Sequence, residues 1–91
     1  MIYFVRRSDG LVKIGTTTNF YRRLISLKKE HGDLEVIGWH SGDRKVEKDV
    51  HQQFAAYRVI NEWFYFSDEL SSYLSTSVNQ GEPPKPEAGL T

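Results

Sequence analysis

The sequence has no cysteine, so disulfide staples and cysteine-rich zinc sites are excluded, and stability must come from packing alone. It also has no basic segment followed by a long apolar run and nothing of membrane-spanning length, which points to a cytoplasmic protein without membrane partners. No internal repeat, helix-turn-helix or zinc-finger pattern is present. Ninety-one residues allow one domain with a small core. Five Tyr, five Phe and two Trp can supply much of the buried area that such a core needs. Net charge is zero but unevenly spread: residues 1–31 carry seven basic side chains against two acidic, and residues 32–91 carry five against ten. A basic first third suits a polyanionic partner, although an ordinary solvated hairpin and helix would carry the same charges.

The stretch from Ile2 to Arg23 organises the rest. Ile2, Phe4, Val12 and Ile14 share one face of a hairpin only in the right register. A two-residue Asp9-Gly10 turn would split them. A three-residue Ser8-Asp9-Gly10 loop, with Gly10 in the left-handed position, pairs Arg7 with Leu11 and reunites them. On the other face this register sets Tyr3 opposite Gly15 with Lys13 on the diagonal, and Gly15 is expected to leave open space there.

Thr18 or Asn19 can cap a helix running to about His31, with Phe20, Leu24 and Leu27 on one stripe and Gly32 ending it. Its first turn lies near the Gly15 end of the hairpin, within reach of Arg23; an arginine in solvent is the ordinary alternative. Leu34–His40 reads as a third strand. Asp43 can cap a second helix from about Arg44 to Tyr57, with Val46, Val50 and Phe54 facing the core and Glu47 and His51 stacked one turn apart beside them. That pair is equally what a simple helix-surface hydrogen bond requires. No further ligand is spaced as a structural zinc site would need. Arg58–Phe66 is expected to be an extended segment packing against the sheet, and Ser67 can cap a last helix with Leu70, Tyr73 and Leu74 on its apolar side. The expected fold is α+β, a small three-stranded antiparallel sheet flanked by about three helices. The domain is placed at residues 1–76, and residues 77–91, with Pro83, Pro84 and Pro86, read as a disordered tail.

Over roughly residues 1 to 70 the chain resembles the GIY-YIG nucleases. The signature tripeptides correspond to Met1-Ile2-Tyr3, without its glycine, and Lys13-Ile14-Gly15, with lysine in place of tyrosine. A phage-type branch reading K-I-G-x-T, an arginine, E-x-x-x-H and E-W-F is closer. Lys13 to Thr17, Arg23, Glu47 with His51, and Glu62-Trp63-Phe64 follow in that order.

The resemblance implies a small endonuclease, phage-encoded and acting in the host cell, that hydrolyses DNA phosphodiester bonds with one magnesium or manganese ion. It assigns catalysis to Tyr3, Lys13, Arg23 and Glu47, the metal to Glu47, and substrate contacts to Thr16, Arg22, Lys28 and His51, with His51 also able to buttress the core. Leu27 stands where relatives often carry a histidine or tyrosine. Glu62 either supports the site or caps neighbouring backbone. Tyr3 orients or deprotonates the water. Lys13 either favours the phenolate or acts as the base itself. Cleaving both strands requires a homodimer or two nicking events, and targeting falls to the catalytic face, DNA shape or a partner protein. A non-catalytic nucleic-acid-binding module with the same fold, or a protein-interaction domain using Trp63 to Phe66, are the alternatives.

Overall fold

The computed structural model describes residues 1–85, so the part of the expected tail from Pro86 to Thr91 lies outside the described residues. The elements are β1 (Ile2–Arg7), β2 (Val12–Thr16), α1 (Phe20–His31), β3 (Leu34–His40), α2 (Arg44–Gln53), a 3-10 turn (Ala55–Tyr57), β4 (Arg58–Ile60), β5 (Trp63–Phe64), α3 (Asp68–Thr76) and β6 (Asn79–Gln80). They build one sheet in the order β4-β5-β2-β1-β3-β6, every neighbouring pair antiparallel. The expected three strands form its centre, but the sheet has six. Its extra strands come from the two segments read as a packed extension and a tail.

The hairpin has the register that reunites its apolar set. Tyr3 pairs with Gly15 and Phe4 with Ile14, and the Arg7 N–H donates to the Leu11 carbonyl at 2.8 Å. Gly10 takes φ of 95°, a conformation closed to most side chains, and Asp9 accepts from the Leu11 N–H to tighten the loop. Alternation along β1 then divides the interior. Ile2 and Phe4 join Val12 and Ile14 under α2 and α3, while Tyr3 and Val5 turn to Phe20, Leu24 and Leu27 of α1.

The helices begin at side-chain caps: Asn19 accepts from the Arg22 N–H, Asp43 from Lys45 and Val46, and Ser67 from Leu70. α2 ends at Gln53, four residues before the expected Tyr57. The chain tightens into the 3-10 turn there because the Tyr57 carbonyl is taken by the Tyr65 N–H, which delivers Arg58 into the sheet instead of a further helical turn. β4 and β5 form a hairpin with Asn61 at φ 49°, and β5 pairs with the free edge of β2 through Val12–Phe64 and Lys13–Trp63. Trp63 and Phe64 are buried, as core residues should be.

Residues 77–85 are not the tail the composition suggested. Asn79 and Gln80 pair with Trp39 and Gly38 at the opposite sheet edge, the Gln80 amide donates to the Leu74 carbonyl, and the Tyr21 hydroxyl donates to the Pro83 carbonyl. Among the described residues no helix is long and apolar enough to cross a membrane.

Candidate metal and phosphate site

The site forms where β2 runs out of partner. β5 covers β2 only at Val12 and Lys13, and beyond it the Ile14 N–H donates to the Glu62 carbonyl at 3.1 Å. The Ile14 carbonyl is left for a side chain: His51 Nε2 reaches it at 2.7 Å from α2. A carbonyl can only accept, so Nε2 donates a hydrogen to it, and Nδ1 faces Arg58 Nη2 at 3.4 Å. His51 thus pins α2 to the sheet edge and presents its other nitrogen outward.

One helical turn before His51 stands Glu47, and the start of β5 brings in Glu62. The ligand atoms of Glu47, His51 and Glu62 all lie within 4.8 Å of one another. Burial and the nearby Glu62 charge push the Glu47 carboxyl above its usual range, against the opposing pull of His51, Arg44 and Lys13. Glu62 is paired with Lys13 Nζ at 3.0 Å, and Lys13 lies over the Trp63 ring, 5.5 Å from its centre. Lys13 is therefore held beside the carboxylates.

Tyr3 sits on the other side of this edge, wholly buried. The space expected above Gly15 is filled by the Tyr3 ring itself: a Cβ at Gly15 would lie 2.4 Å from both Tyr3 Cζ and Oη. Only glycine lets the phenol cross β2 at this depth. Phe20 closes the ring edge-on at 5.8 Å. The hydroxyl has no hydrogen-bond partner among the described residues. Its pKa is pushed up to about 12, mainly by burial; Arg23 draws it down while Glu62 and Glu47 raise it further. The guanidinium is close enough to act through its charge, yet no group meets the hydroxyl in good hydrogen-bonding geometry. The cation that acts on Tyr3 is Arg23, whereas Lys13 is drawn to Glu62.

Arg23 is exposed and lines a cavity of about 410 Å³ with Thr16, Thr17, Thr18, Asp43 and Arg44. Arg22 and Arg23 together line a second of about 290 Å³. The residues expected to act are thereby gathered around one edge: Tyr3, Lys13, Arg23, Glu47 and His51 with Thr16 and Arg22 alongside. Lys28 is not brought in. It is exposed in the last turn of α1, five residues beyond Arg23 and so about 7.5 Å further along the helix, and lines neither cavity.

Two features were not legible in advance. The sequence left Glu62 open between the site and a backbone cap, and only tertiary pairing of its strand brings its carboxylate beside Glu47. Arg58 faces the imidazole that Glu47 stacks against, although its sequence position suggested only an extended segment.

Two carboxylates and an imidazole form a suitable donor set for a divalent cation. The raised Glu47 pKa and the unsatisfied Tyr3 hydroxyl are both strains that a cation with its bound water would relieve.

No curated protein and no solved structure matches the chain. The T5orf172 domain model matches residues 1–79, a domain associated with GIY-YIG- and HNH-like phage endonucleases and compatible with a nuclease-like or DNA-binding role. With that match spanning most of its length, the chain belongs to the T5orf172 domain family.

Proposed function

We propose that the chain is a divalent-metal-dependent endonuclease that hydrolyses DNA phosphodiester bonds by a one-metal mechanism of GIY-YIG type. The observation that carries this reading is the meeting of Glu47, His51 and Glu62 beside Lys13, Tyr3 and Arg23 at one sheet edge. Glu47 would hold magnesium or manganese, with Glu62 and His51 as further ligands. Such a cation would supply Lewis acidity at the phosphate.

The chain's own side chains do the rest. In the hydrolysis a water oxygen bonds to phosphorus as the bond to one ester oxygen breaks, the water's proton passing to bulk solvent and the departing oxygen taking one from it. Arg23, exposed beside a cavity wide enough for a phosphate, neutralises a non-bridging oxygen. A phenol whose pKa is about 12 is not ionised at neutral pH, so Tyr3 orients the attacking water through its free hydroxyl and does not deprotonate it. Lys13, paired with Glu62 at 3.0 Å, would offset part of the charge that a phosphate brings to this edge.

A binding module that keeps the fold without cutting is the second reading, favoured by the same burial that seals Tyr3. Glu47→Ala separates the two. The substitution lies off the buried Val50 and Phe54 positions, so its stability cost stays small. Cleavage of supercoiled plasmid in magnesium or manganese should fall by at least about a hundredfold while binding to DNA persists or tightens. A folded Glu47→Ala protein that cuts at the wild-type rate, or a wild-type protein that binds DNA and never cuts, rejects the endonuclease.

A further inference from the structure

Beyond the acidic cluster lies a cavity of about 480 Å³ lined by Arg44, Glu47, Lys48, His51, Gln52 and Arg58. Its only carboxylate is the one already in the cluster, and the three remaining charged groups are all cations. Arg44 and Lys48 stand one turn apart on α2, in the row beside Glu47 and His51. Arg58 reaches the same cavity from β4, with its guanidinium 5.5 Å from the centre of the Phe64 ring and 3.4 Å from His51 Nδ1.

This cavity is not isolated. Arg44 also lines the cavity that contains Arg23, and Arg23 lines the next one with Arg22. Shared walls therefore make a continuous row, Arg22, Arg23, Arg44, Lys48 and Arg58, that passes the Glu47 cluster and continues beyond it. A single phosphate would need only one end of such a row. A polymer with a phosphate at every step needs cations on both sides of the position where chemistry occurs, because the flanking phosphates bring charge of their own.

We propose that Arg44, Lys48 and Arg58 form a second phosphate-binding subsite, which holds the DNA backbone on the side of the scissile phosphate opposite to Arg22. The inference rests on the reading of the site as one that takes DNA. It assigns to the acidic part of the sequence a binding surface that its net charge conceals. The subsite meets backbone and not base edges, so it contributes affinity and strand placement without sequence preference.

The test is DNA binding by fluorescence anisotropy to a labelled duplex in EDTA, so that cleavage plays no part, across a range of salt concentrations. Arg44→Gln/Lys48→Gln/Arg58→Gln should make the slope of log affinity against log salt shallower by about 2–3, at roughly 0.9 for each phosphate no longer neutralised. Lys45→Gln removes an exposed cation from the same helix that lies outside the cavity lining, and should leave the slope nearly unchanged. If the triple variant does not fold, as judged by circular dichroism, each single variant should make the slope shallower by about 0.9. A slope equal to wild type, or a change no greater than in Lys45→Gln, overturns the subsite and leaves the endonuclease standing. A shallower slope in a protein that never cuts does the reverse. Wild-type protein that fails to bind duplex at low salt overturns both.

Discussion

On one face of the sheet, α2 and α3 cover a cluster of nine buried apolar side chains; on the other, α1 alone covers five, one of which is Tyr3. The larger cluster holds Phe4, Phe54, Phe64 and Leu70, all closed to solvent or nearly so, and has no hydroxyl among its buried members. The smaller buries a phenol whose oxygen meets no hydrogen-bond partner in good geometry among the described residues. Packing and chemistry are divided between the faces, and the acidic cluster lies at the edge where they meet. Val50 anchors α2 in the large core, so Glu47 and His51 project from a well-held helix. Tyr3 and Arg23 belong to the thinner layer. The division sets a rigidly held group of candidate ligands opposite a less fully satisfied face.

The largest expected effect tests the inequality of the two cores directly. Phe4→Ala removes a fully buried ring and should cost about 3–5 kcal/mol, enough to unfold much of a domain this small at physiological temperature. Leu24→Ala on the thinner face, where 6% of the side chain already meets solvent, should cost about 2 kcal/mol because the site can collapse. Urea titration of both variants measures the gap. Equal costs would show that α1 packs as tightly as α2 and α3, and the comparison would fail.

The same division explains what could be read ahead of the structure. Register in the first hairpin was legible because one-residue slippage would scatter Ile2, Phe4, Val12 and Ile14 across both faces. Caps at Asn19, Asp43 and Ser67 were legible because the first turns of helices need local acceptors. The outer strands were not. Whether Arg58–Phe64 lies on a sheet or joins it depends on the vacant edge of β2, which is distant in sequence. Asn79 and Gln80 pair through backbone groups, so their polar side chains resemble those of a solvated tail. In the site, the Glu47 and His51 spacing is helical and visible, whereas the arrival of Glu62 depends on that same strand addition. The expected opening above Gly15 failed for a related reason. A missing side chain is an opportunity for a neighbour, and Tyr3 took it.

A smaller effect, opposite in sign for stability and activity, should follow from Tyr3→Phe. The phenol oxygen is desolvated without a partner, which costs the fold about 1 kcal/mol, and the ring can stay where it is. Removing the hydroxyl should raise the melting temperature by roughly 4 °C or more for a domain of this size. On the endonuclease reading cleavage should fall, because the hydroxyl proposed to orient the attacking water is removed. A lower melting temperature would show that Arg23 or a water satisfies the oxygen, and the thinner face would then be no less settled than the other.

The smallest effect on stability concerns Glu47, and its sign depends on the cation. Burial and the Glu62 charge hold its folded pKa above the unfolded value. The stability linked to its protonated form is therefore fully present below the ordinary glutamate pKa and is lost as pH rises through the elevated one. In EDTA, Glu47→Gln escapes that loss, so its melting temperature should gain on the wild type as pH climbs from acid toward neutral. The difference between the two curves isolates most of the Glu47 contribution. Magnesium or manganese should reverse the order, because a cation that binds the folded ionised carboxylate stabilises the wild type by mass action and the glutamine variant far less. A difference that is flat with pH in EDTA would mean that the neighbouring cations already neutralise Glu47. Failure of either metal to raise the wild-type melting temperature above that of Glu47→Gln would remove the metal from this edge, and with it the distinction between a ligand side and a substrate side.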